Sequence, residues 1–189
     1  LLAAYLPGLQ FLPRGNWTFD LHIVYEDRDC FEFYDGGHSV SICDQWQGES
    51  SLMDLLFLSY GVARRAWLQK GIYPVHAAAL KMAGDGLTLL VGHSGTGKTA
   101  VTLSSVAGGA RVFSGNKTLV TLDDTGVMQA VGGTRPITCK LEDMDRHQSG
   151  YAFKVAYGSR SAFMLKDGDY MSLAPQTVRR LVLPRLNDG

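Results

Sequence analysis

The sequence predicts an α/β protein in which a small β-rich region, residues 1–50, precedes a larger mixed domain, residues 51–189. Apolar and polar residues alternate before residue 50, whereas apolar residues recur at helical spacing just after it. Further along, a short apolar run leads directly into a glycine-rich loop and a second helical segment. With 46% apolar and 19% charged residues, the chain has the composition of a soluble globular protein.

The first half of the chain is expected to contain strands on both sides of one helix. "LHIVYEDRDCFEFYDGGHSVSIC" predicts two or three antiparallel strands, because "DRD" and "DGG" interrupt the alternation. "SSLMDLLFLSYGVARRAWLQKG" predicts a core-packing helix over 52–69, which Ser50 or Ser51 caps and Gly71 ends. "YPVHAAALKMAGDGLTLLVG" then predicts two strands joined at 84–86.

The second half begins with a helix over 98–107 and a strand over 110–114. Short strands are expected from 117 to 139, with a turn at 123–126 where the sequence reads "DDTG". "YAFKVAYG" and "VRRLVLPRL" predict two further strands, and the remainder of the last forty residues is left unassigned.

Charge and cysteine content indicate which partners and which cellular compartment to expect. Eighteen basic residues balance eighteen acidic ones, so the basic excess typical of a nucleic-acid-binding protein is absent. Cys30, Cys43 and Cys139 form no C-x-x-C pair, which favours free thiols in a reducing cytoplasm. The apolar N-terminus lacks a preceding basic region and no uncharged run is long enough to cross a bilayer, so no membrane partner is expected. A homo-oligomer and a longer parent chain stay open.

The stretch "GHSGTGKT" matches the pattern G-x-x-x-x-G-K-[ST]. Glycines allow several backbone N–H groups to face one anion, and the start of a helix adds the positive end of its dipole. Lys98 can reach the β- and γ-phosphates of a nucleotide, and the Thr99 hydroxyl can ligate Mg²⁺. We therefore expect a nucleoside triphosphate and Mg²⁺ as cofactors. The residues expected to bind the nucleotide are Gly92, His93, Ser94, Gly95, Thr96, Gly97, Lys98, Thr99 and Ala100.

Two other classes of P-loop protein fit less well. Small-metabolite kinases usually begin with this loop, whereas here it lies in mid-chain. In a GTPase interpretation, "DDTG" fits D-x-x-G and "NKTL" begins like N-K-x-D. However, Leu119 replaces the acid that reads guanine, and the two motifs occur in the wrong order.

Two neighbouring stretches make the pattern more specific. "VHAAAL" places His76 sixteen positions before Gly92, and "GGARVFS" follows the predicted helix. Together with the glycine loop, residues 52–140 resemble the HPr kinase/phosphorylase family. The resemblance implies a P-loop core of the HPr kinase and phosphoenolpyruvate carboxykinase type. It also implies transfer of a phosphoryl group from ATP to a hydroxyl, usually a serine of a protein or peptide.

His76 matches the family's histidine near the transferred phosphate. The alternative is a structural histidine whose hydrogen bonds are satisfied inside a buried strand. The family's paired aspartates fall at Gly115 and Asn116, seventeen and eighteen positions after Lys98. One of those aspartates is expected to accept the proton of the attacking hydroxyl. Glycine and asparagine cannot do so, although the amide oxygen of Asn116 can ligate Mg²⁺.

Three explanations for the missing aspartates stay open. His76 acts as the base, or the protein binds nucleotide and transfers little, or another carboxylate has taken the role. The candidate carboxylates are Asp123, Asp124, Glu142, Asp143 and Asp145. Restoring both aspartates is expected to raise transfer, unless the backbone angle at Gly115 excludes a side chain.

"VGGTRPI" places Arg135 just beyond a glycine turn, at about the place where the family has a later phosphate-facing loop. Arg135 either neutralises charge during transfer or lies on the surface of a hairpin turn. Residues 141–150 are either a solvated loop or a flap over the site.

The leading hypothesis is a phosphotransferase that uses ATP and Mg²⁺ on a hydroxyl of a protein, peptide or small molecule. The alternative is a nucleotide-binding regulatory module with weak or lost kinase activity. A P-loop ATPase coupled to another process is a third, weaker hypothesis.

Overall fold

The computed structural model describes residues 22–25, 31–33, 39–42, 60–61, 63–64, 67–84, 86–140, 153–157, 160–172 and 174–185. The strands are β1 (His22–Tyr25), β2 (Phe31–Phe33), β3 (Ser39–Ile42), β4 (Tyr73–Val75), β5 (Ala77–Lys81), β6 (Leu87–Val91), β7 (Arg111–Ser114), β8 (Thr118–Leu122), β9 (Met128–Gly133), β10 (Ile137–Lys140), β11 (Phe153–Tyr157), β12 (Arg160–Met164) and β13 (Gln176–Val182). Helix α1 spans Lys98–Ala107, and a 3₁₀ helix spans Asp167–Asp169.

A seven-stranded sheet in the order β4-β8-β9-β13-β6-β5-β7 forms the main layer. Its neighbouring strands pair antiparallel except β13 and β6, which are parallel. The sheet curls, because β5 and β8 contact each other although they are not neighbours in the hydrogen-bonding order. The architecture is thus mixed α/β and rich in strands.

Both faces of the central strands are buried, as their nearly continuous apolar sequences require. On β5, Ala78 and Leu80 pack in one cluster with Phe163 and α1, whereas Ala77 and Ala79 pack in a second cluster with Phe113. The side-chain period of two along a strand accounts for this division. The first cluster lies between the main sheet, α1 and the smaller sheet that carries Phe163.

The smaller sheet has the order β10-β12-β11, and both of its pairs are antiparallel. It contacts α1 through β10. Its β12 brings Ala162 and Phe163 into the core with no exposed surface. This sheet therefore lies against the helix that follows the glycine loop.

The N-terminal sheet has the order β1-β3-β2. β2 pairs antiparallel with β3, but β1 pairs parallel with β3. The prediction that all these strands are antiparallel was therefore wrong. A parallel pair needs a long connection, and residues 26–38 between β1 and β3 are numerous enough to supply it.

The predicted helix over 98–107 and the turn at 123–126 are confirmed. The predicted strand at 110–114 is β7, which begins at Arg111. The stretch before the loop forms three strands rather than two, because the chain bends at His76 between β4 and β5. Strand β12 lies in the stretch that had no assignment.

The helix predicted over 52–69 is only partly within the described residues, where 60–61, 63–64 and 67–69 are helical. Gly71 follows it with φ 69°, as a residue that ends a helix often does. The proposed caps at Ser50 and Ser51, like the segment 141–150, lie outside the described residues. None of the helical segments described is long and apolar enough to span a membrane.

Candidate phosphate-binding site

The ends of several strands meet beside the glycine loop. β6 ends at Val91, immediately before the loop, and Val91 is paired with Ala77 at the start of β5. The carbonyl of Ala77 accepts a 2.9 Å hydrogen bond from the Thr118 hydroxyl at the start of β8. Thr118 also shares a 2.5 Å hydrogen bond with Ser114 at the end of β7. These buried hydroxyls join the strands that carry the candidate residues.

The loop between β6 and α1 has the backbone that an anion cradle requires. Gly95 and Gly97 have φ values of 88° and 92°, in the left-handed region that favours glycine. Gly92 is needed for a different reason, because a Cβ there would lie 2.7 Å from Thr96 Oγ1. Helix α1 has no side-chain cap and no acid in its first turn, so its N-terminal N–H groups have no anionic side chain of their own.

Lys98, the first residue of α1, folds back over the loop. Its ammonium donates to the carbonyl oxygens of Gly92 at 2.5 Å and His93 at 2.7 Å. Burial, and secondarily the positive charge of Arg160, lower the pKa of Lys98. Among the residues that the structure describes, the ammonium is hydrogen-bonded to these two neutral carbonyls while a second cation lies nearby. Such an environment favours the approach of an anion.

Thr99 joins the loop to the smaller sheet. Its hydroxyl donates to the carbonyl of Thr138 on β10 at 2.9 Å, and the oxygen keeps lone pairs that a metal ion could use. No cluster of three or more histidine, cysteine, aspartate or glutamate residues occurs in the described part of the chain. A metal ion here would therefore need ligands from phosphate and water, which suits Mg²⁺. Ala100 lies exposed in the first turn of α1.

His76 and Asn116 are forty positions apart in sequence and lie in contact. His76 Nε2 is 3.1 Å from Asn116 Oδ1. With the amide oxygen facing the ring, Nε2 carries the hydrogen and Nδ1 is left as the basic nitrogen. Burial lowers the pKa of His76, and the charges of Lys98, Lys117 and Arg160 lower it further, whereas the Asn116 hydrogen bond raises it. The ring is therefore neutral at pH 7.

Gly115 is fixed by close packing rather than by its backbone angle. Gly115 is not among the described glycines that have a positive φ, so its backbone conformation would not exclude a side chain. A Cβ at this position would instead lie 2.6 Å from the carbonyl oxygens of Arg135 and Pro136 and 2.8 Å from Ile137 Cγ1. The Gly115 N–H also donates to the carbonyl of Thr134 at 2.7 Å. A side chain at 115 would have to displace the chain that leads into β10.

Three predicted participants lie apart from this group. The Arg135 guanidinium is 5.3 Å from the centre of the Tyr170 ring, a cation–π contact, and its charge is not among those acting on His76. Asp123 lies in the exposed turn between β8 and β9, with Asp124 beside it. The remaining candidate acids, Glu142, Asp143 and Asp145, lie outside the described residues.

Two contacts were not anticipated from the sequence. Arg160 Nη2 on β12 donates to the Ser94 hydroxyl at 2.5 Å. The Lys117 ammonium lies 3.9 Å from the centre of the Tyr60 ring, and burial raises the pKa of Tyr60 to about 12. The short apolar run in "SAFM" was a weak strand signal that could have suggested β12, but nothing local connects it to residue 94.

No protein-family model matches this chain, and no curated protein matches it in sequence. The resemblance to the HPr kinase/phosphorylase family therefore still depends on the motifs quoted above. The described site brings together Lys98, His76 and Asn116 of the predicted catalytic residues, and it leaves the Arg135 guanidinium against Tyr170.

Proposed function

We propose that the chain is an ATP- and Mg²⁺-dependent phosphotransferase that acts on a hydroxyl of a protein, peptide or small molecule, as the resemblance to HPr kinase implies. The observation that carries the proposal is the convergence of the His76–Asn116 pair and Lys98 at the glycine loop. A loop that merely turned the chain would not need a histidine–asparagine pair and a lysine ammonium beside it.

Binding would use the backbone of the loop and the start of α1. The N–H groups there would donate to the β-phosphate, because a helix without its own anionic cap attracts an anion. Lys98 would exchange the carbonyl oxygens of Gly92 and His93 for phosphate oxygens. The ammonium would then face negatively charged rather than neutral acceptors, and the added Coulombic attraction favours the bound state.

Transfer would need a proton acceptor for the attacking hydroxyl. His76 Nδ1 can accept that proton while the hydroxyl oxygen bonds to the γ-phosphorus and the bond from phosphorus to the β–γ bridging oxygen breaks, which releases ADP. The Asn116 amide would hold the imidazole through Nε2. Thr99 and Asn116 are the residues that would hold Mg²⁺, which would neutralise the phosphate charge.

A regulatory nucleotide-binding module is the second candidate function. It is favoured by the absence of a carboxylate contact to His76, Lys98 or Asn116 within the described residues. A module of this kind would bind the nucleotide in the same loop but would transfer phosphate slowly or not at all.

The deciding experiment incubates the protein with γ-labelled ATP, Mg²⁺ and a panel of peptide, protein and small-molecule hydroxyl acceptors. A labelled product with the mass of the phosphorylated acceptor supports the phosphotransferase. Binding of ATP and ADP without a product favours the regulatory module. In parallel, millimolar nucleotide is expected to raise the melting temperature of the wild type, and Lys98→Ala is expected to remove most of that rise.

Lys166→Ala is the matched control, since Lys166 is exposed and lies outside the loop. It should retain the full nucleotide-dependent rise in melting temperature. A wild type that shows no rise with either nucleotide would rule out both candidate functions, because both depend on nucleotide binding in the loop.

A further inference from the structure

Arg160 reaches the glycine loop from a separate sheet. It is the first residue of β12, where it is paired with Lys140 of β10 and Tyr157 of β11. These pairings fix its backbone on both sides, and its guanidinium extends to the Ser94 hydroxyl at 2.5 Å. A half-buried arginine held by two neighbouring strands is a positioned group rather than a freely moving surface chain.

The charge of Arg160 acts on the other candidate residues. It lowers the pKa of Lys98, after the larger effect of burial, and it contributes to the lowered pKa of His76. In the described part of the chain, no carboxylate contacts either Arg160 or Lys98. Two cations without an anionic partner repel each other, and an anion between them would relieve that repulsion.

The two cations bond to consecutive residues at the start of the loop. Lys98 is bonded to the carbonyl oxygens of Gly92 and His93, and Arg160 is bonded to the next residue, Ser94. The start of α1 lies at the other end of the loop and offers its N–H groups to the β-phosphate. The phosphate beyond the β-phosphate would then come between Lys98 and Arg160.

We propose that Arg160 binds the terminal phosphate of a nucleoside triphosphate and thereby makes this site prefer a triphosphate to a diphosphate. This inference rests on the proposed nucleotide binding in the loop. The planar guanidinium can give two parallel hydrogen bonds to one phosphate, whereas its contact with the Ser94 hydroxyl is a single hydrogen bond from Nη2. The hydrogen bond to Ser94 keeps the guanidinium at the loop before the ligand arrives.

The test measures the affinity of the wild type and of Arg160→Gln for ADP and for a non-hydrolysable ATP analogue, each with Mg²⁺, by titration calorimetry. A hydrogen bond to a charged group contributes about 1.5–3 kcal/mol, so affinity for the triphosphate should fall roughly 10–100-fold. Affinity for ADP should change by less than about 3-fold, because ADP has no phosphate at that position. Arg160→Lys should recover part of the loss, since it restores the charge without the second hydrogen bond.

Arg180→Gln is the matched control, because Arg180 is exposed on β13, where it is paired with Thr88 of β6 rather than with a residue of the loop. It should bind both nucleotides as the wild type does, and melting temperatures without nucleotide should show that every variant is folded. Equal losses for the two nucleotides, or no loss for either, would overturn the role of Arg160 while leaving nucleotide binding intact. A wild type that binds neither nucleotide would overturn both proposals.

Discussion

Two connections flank strand β8. The polar side chain of the first contacts a residue of the candidate site, whereas the polar side chain of the second stabilises its own turn. At the start of β8, residues 115–117, here the site connection, place the Asn116 amide against His76. At its end, residues 123–127, here the acidic turn, contain Asp123 and Asp124. The five residues of β8 separate the two connections, from residue 117 to residue 123, by about 20 Å. The carboxylates of this hairpin thus lie far from its contact with the glycine loop.

The acidic turn uses its carboxylate for its own structure. Asp123 Oδ1 accepts hydrogen bonds from the N–H and hydroxyl of Thr125 at 3.0 and 2.7 Å and from the N–H of Val127 at 2.9 Å. Its Oδ2 accepts one from Gln129 at 3.2 Å. An acid close to a motif in sequence is therefore not available as a base when the turn itself occupies both of its oxygens. In the site connection, by contrast, the amide orients a histidine.

The change expected to have the largest effect is Gly115→Asp in the site connection. Its Cβ would meet the carbonyl oxygens of Arg135 and Pro136 at 2.6 Å, and a carboxylate beside them would be repelled by their partial negative charges. Overpacking and this repulsion should together lower the free energy of unfolding by about 3 kcal/mol. Urea denaturation followed by circular dichroism would measure the loss.

Gly168→Asp is the control for this change, because nothing lies within 4 Å of a Cβ at 168. Its stability should stay close to that of the wild type. If Gly115→Asp were as stable as Gly168→Asp, the close packing of the site connection would be wrong. The aspartate pair of the resembling family could then be restored in full, whereas the described packing allows only the second aspartate.

The next largest effect is expected for His76→Ala. If Nδ1 is the base, kcat should fall about 10²–10⁴-fold while the affinity for ADP changes little. In the wild type, kcat/KM should fall as the pH is lowered below the usual histidine pKa of 6.5, because burial lowers the pKa of His76 and protonation removes the base. This acidic limb should be absent from the variant's pH profile.

Added imidazole gives a second measurement on the same variant, since a small base can enter the space that the truncation leaves. Partial recovery of kcat would support proton transfer at this position. Equal losses of folding stability and ADP affinity, with no recovery by imidazole, would instead indicate that His76 has only a structural role before the start of β5.

A smaller change in rate is expected for Asn116→Asp alone. The new carboxylate would lie about as close to His76 Nε2 as the amide oxygen does now, 3.1 Å, and would add a negatively charged ligand for Mg²⁺. If a missing general base limits the wild type, transfer should rise by ~10²-fold. The carboxylate should also raise the pKa of His76, so the acidic limb of kcat/KM should move to higher pH.

Titrating Mg²⁺ separates these two effects of Asn116→Asp. A rise in rate that remains at saturating Mg²⁺ would indicate the added base, whereas a rise only at low Mg²⁺ would indicate the added ligand. An unchanged rate with an unchanged pH profile would mean that Asn116 does not act on His76 during transfer.

The sequence was informative where one local pattern decides the structure. The apolar run of β6, the left-handed glycines of the loop and helix α1 follow from neighbouring residues, and all three are where they were predicted. The parallel pairing of β1 with β3 depends on which distant segments meet, and alternation alone cannot decide it. For the same reason the period-two pattern could not show that β4 and β5 are separate strands.

The candidate site residues divide in the same way, between those that a local motif predicts and those that only long-range strand pairing brings to the loop. Lys98 and Thr99 could be predicted because the loop motif contains them, and His76 because the spacing to the loop resembles a known family. Arg160 could not, because only the pairing of β12 with β10 and β11 brings it to Ser94. The packing around Gly115 could not be predicted either. Arg135 and Pro136 follow β9 and meet Gly115 only because β8 and β9 pair as a hairpin.

The smallest effect is expected for Asp123→Asn in the acidic turn. Hydrogen bonds from Thr125, and then from the Val127 N–H, hold the pKa of Asp123 at about 2, compared with 3.8 for an unperturbed aspartate. A lowered pKa in the folded state means that the ionised carboxylate stabilises the fold above about pH 4 and that this contribution is lost as the pH falls toward 2. The melting temperature of the variant should therefore be slightly below that of the wild type at neutral pH, and the difference should shrink across that acidic range. Transfer to the acceptor should be unchanged at neutral pH, because β8 holds this carboxylate away from His76. If Asp123→Asn abolished transfer while ADP still bound, the acidic turn would supply the base after all, and the contrast between the two ends of β8 would be wrong.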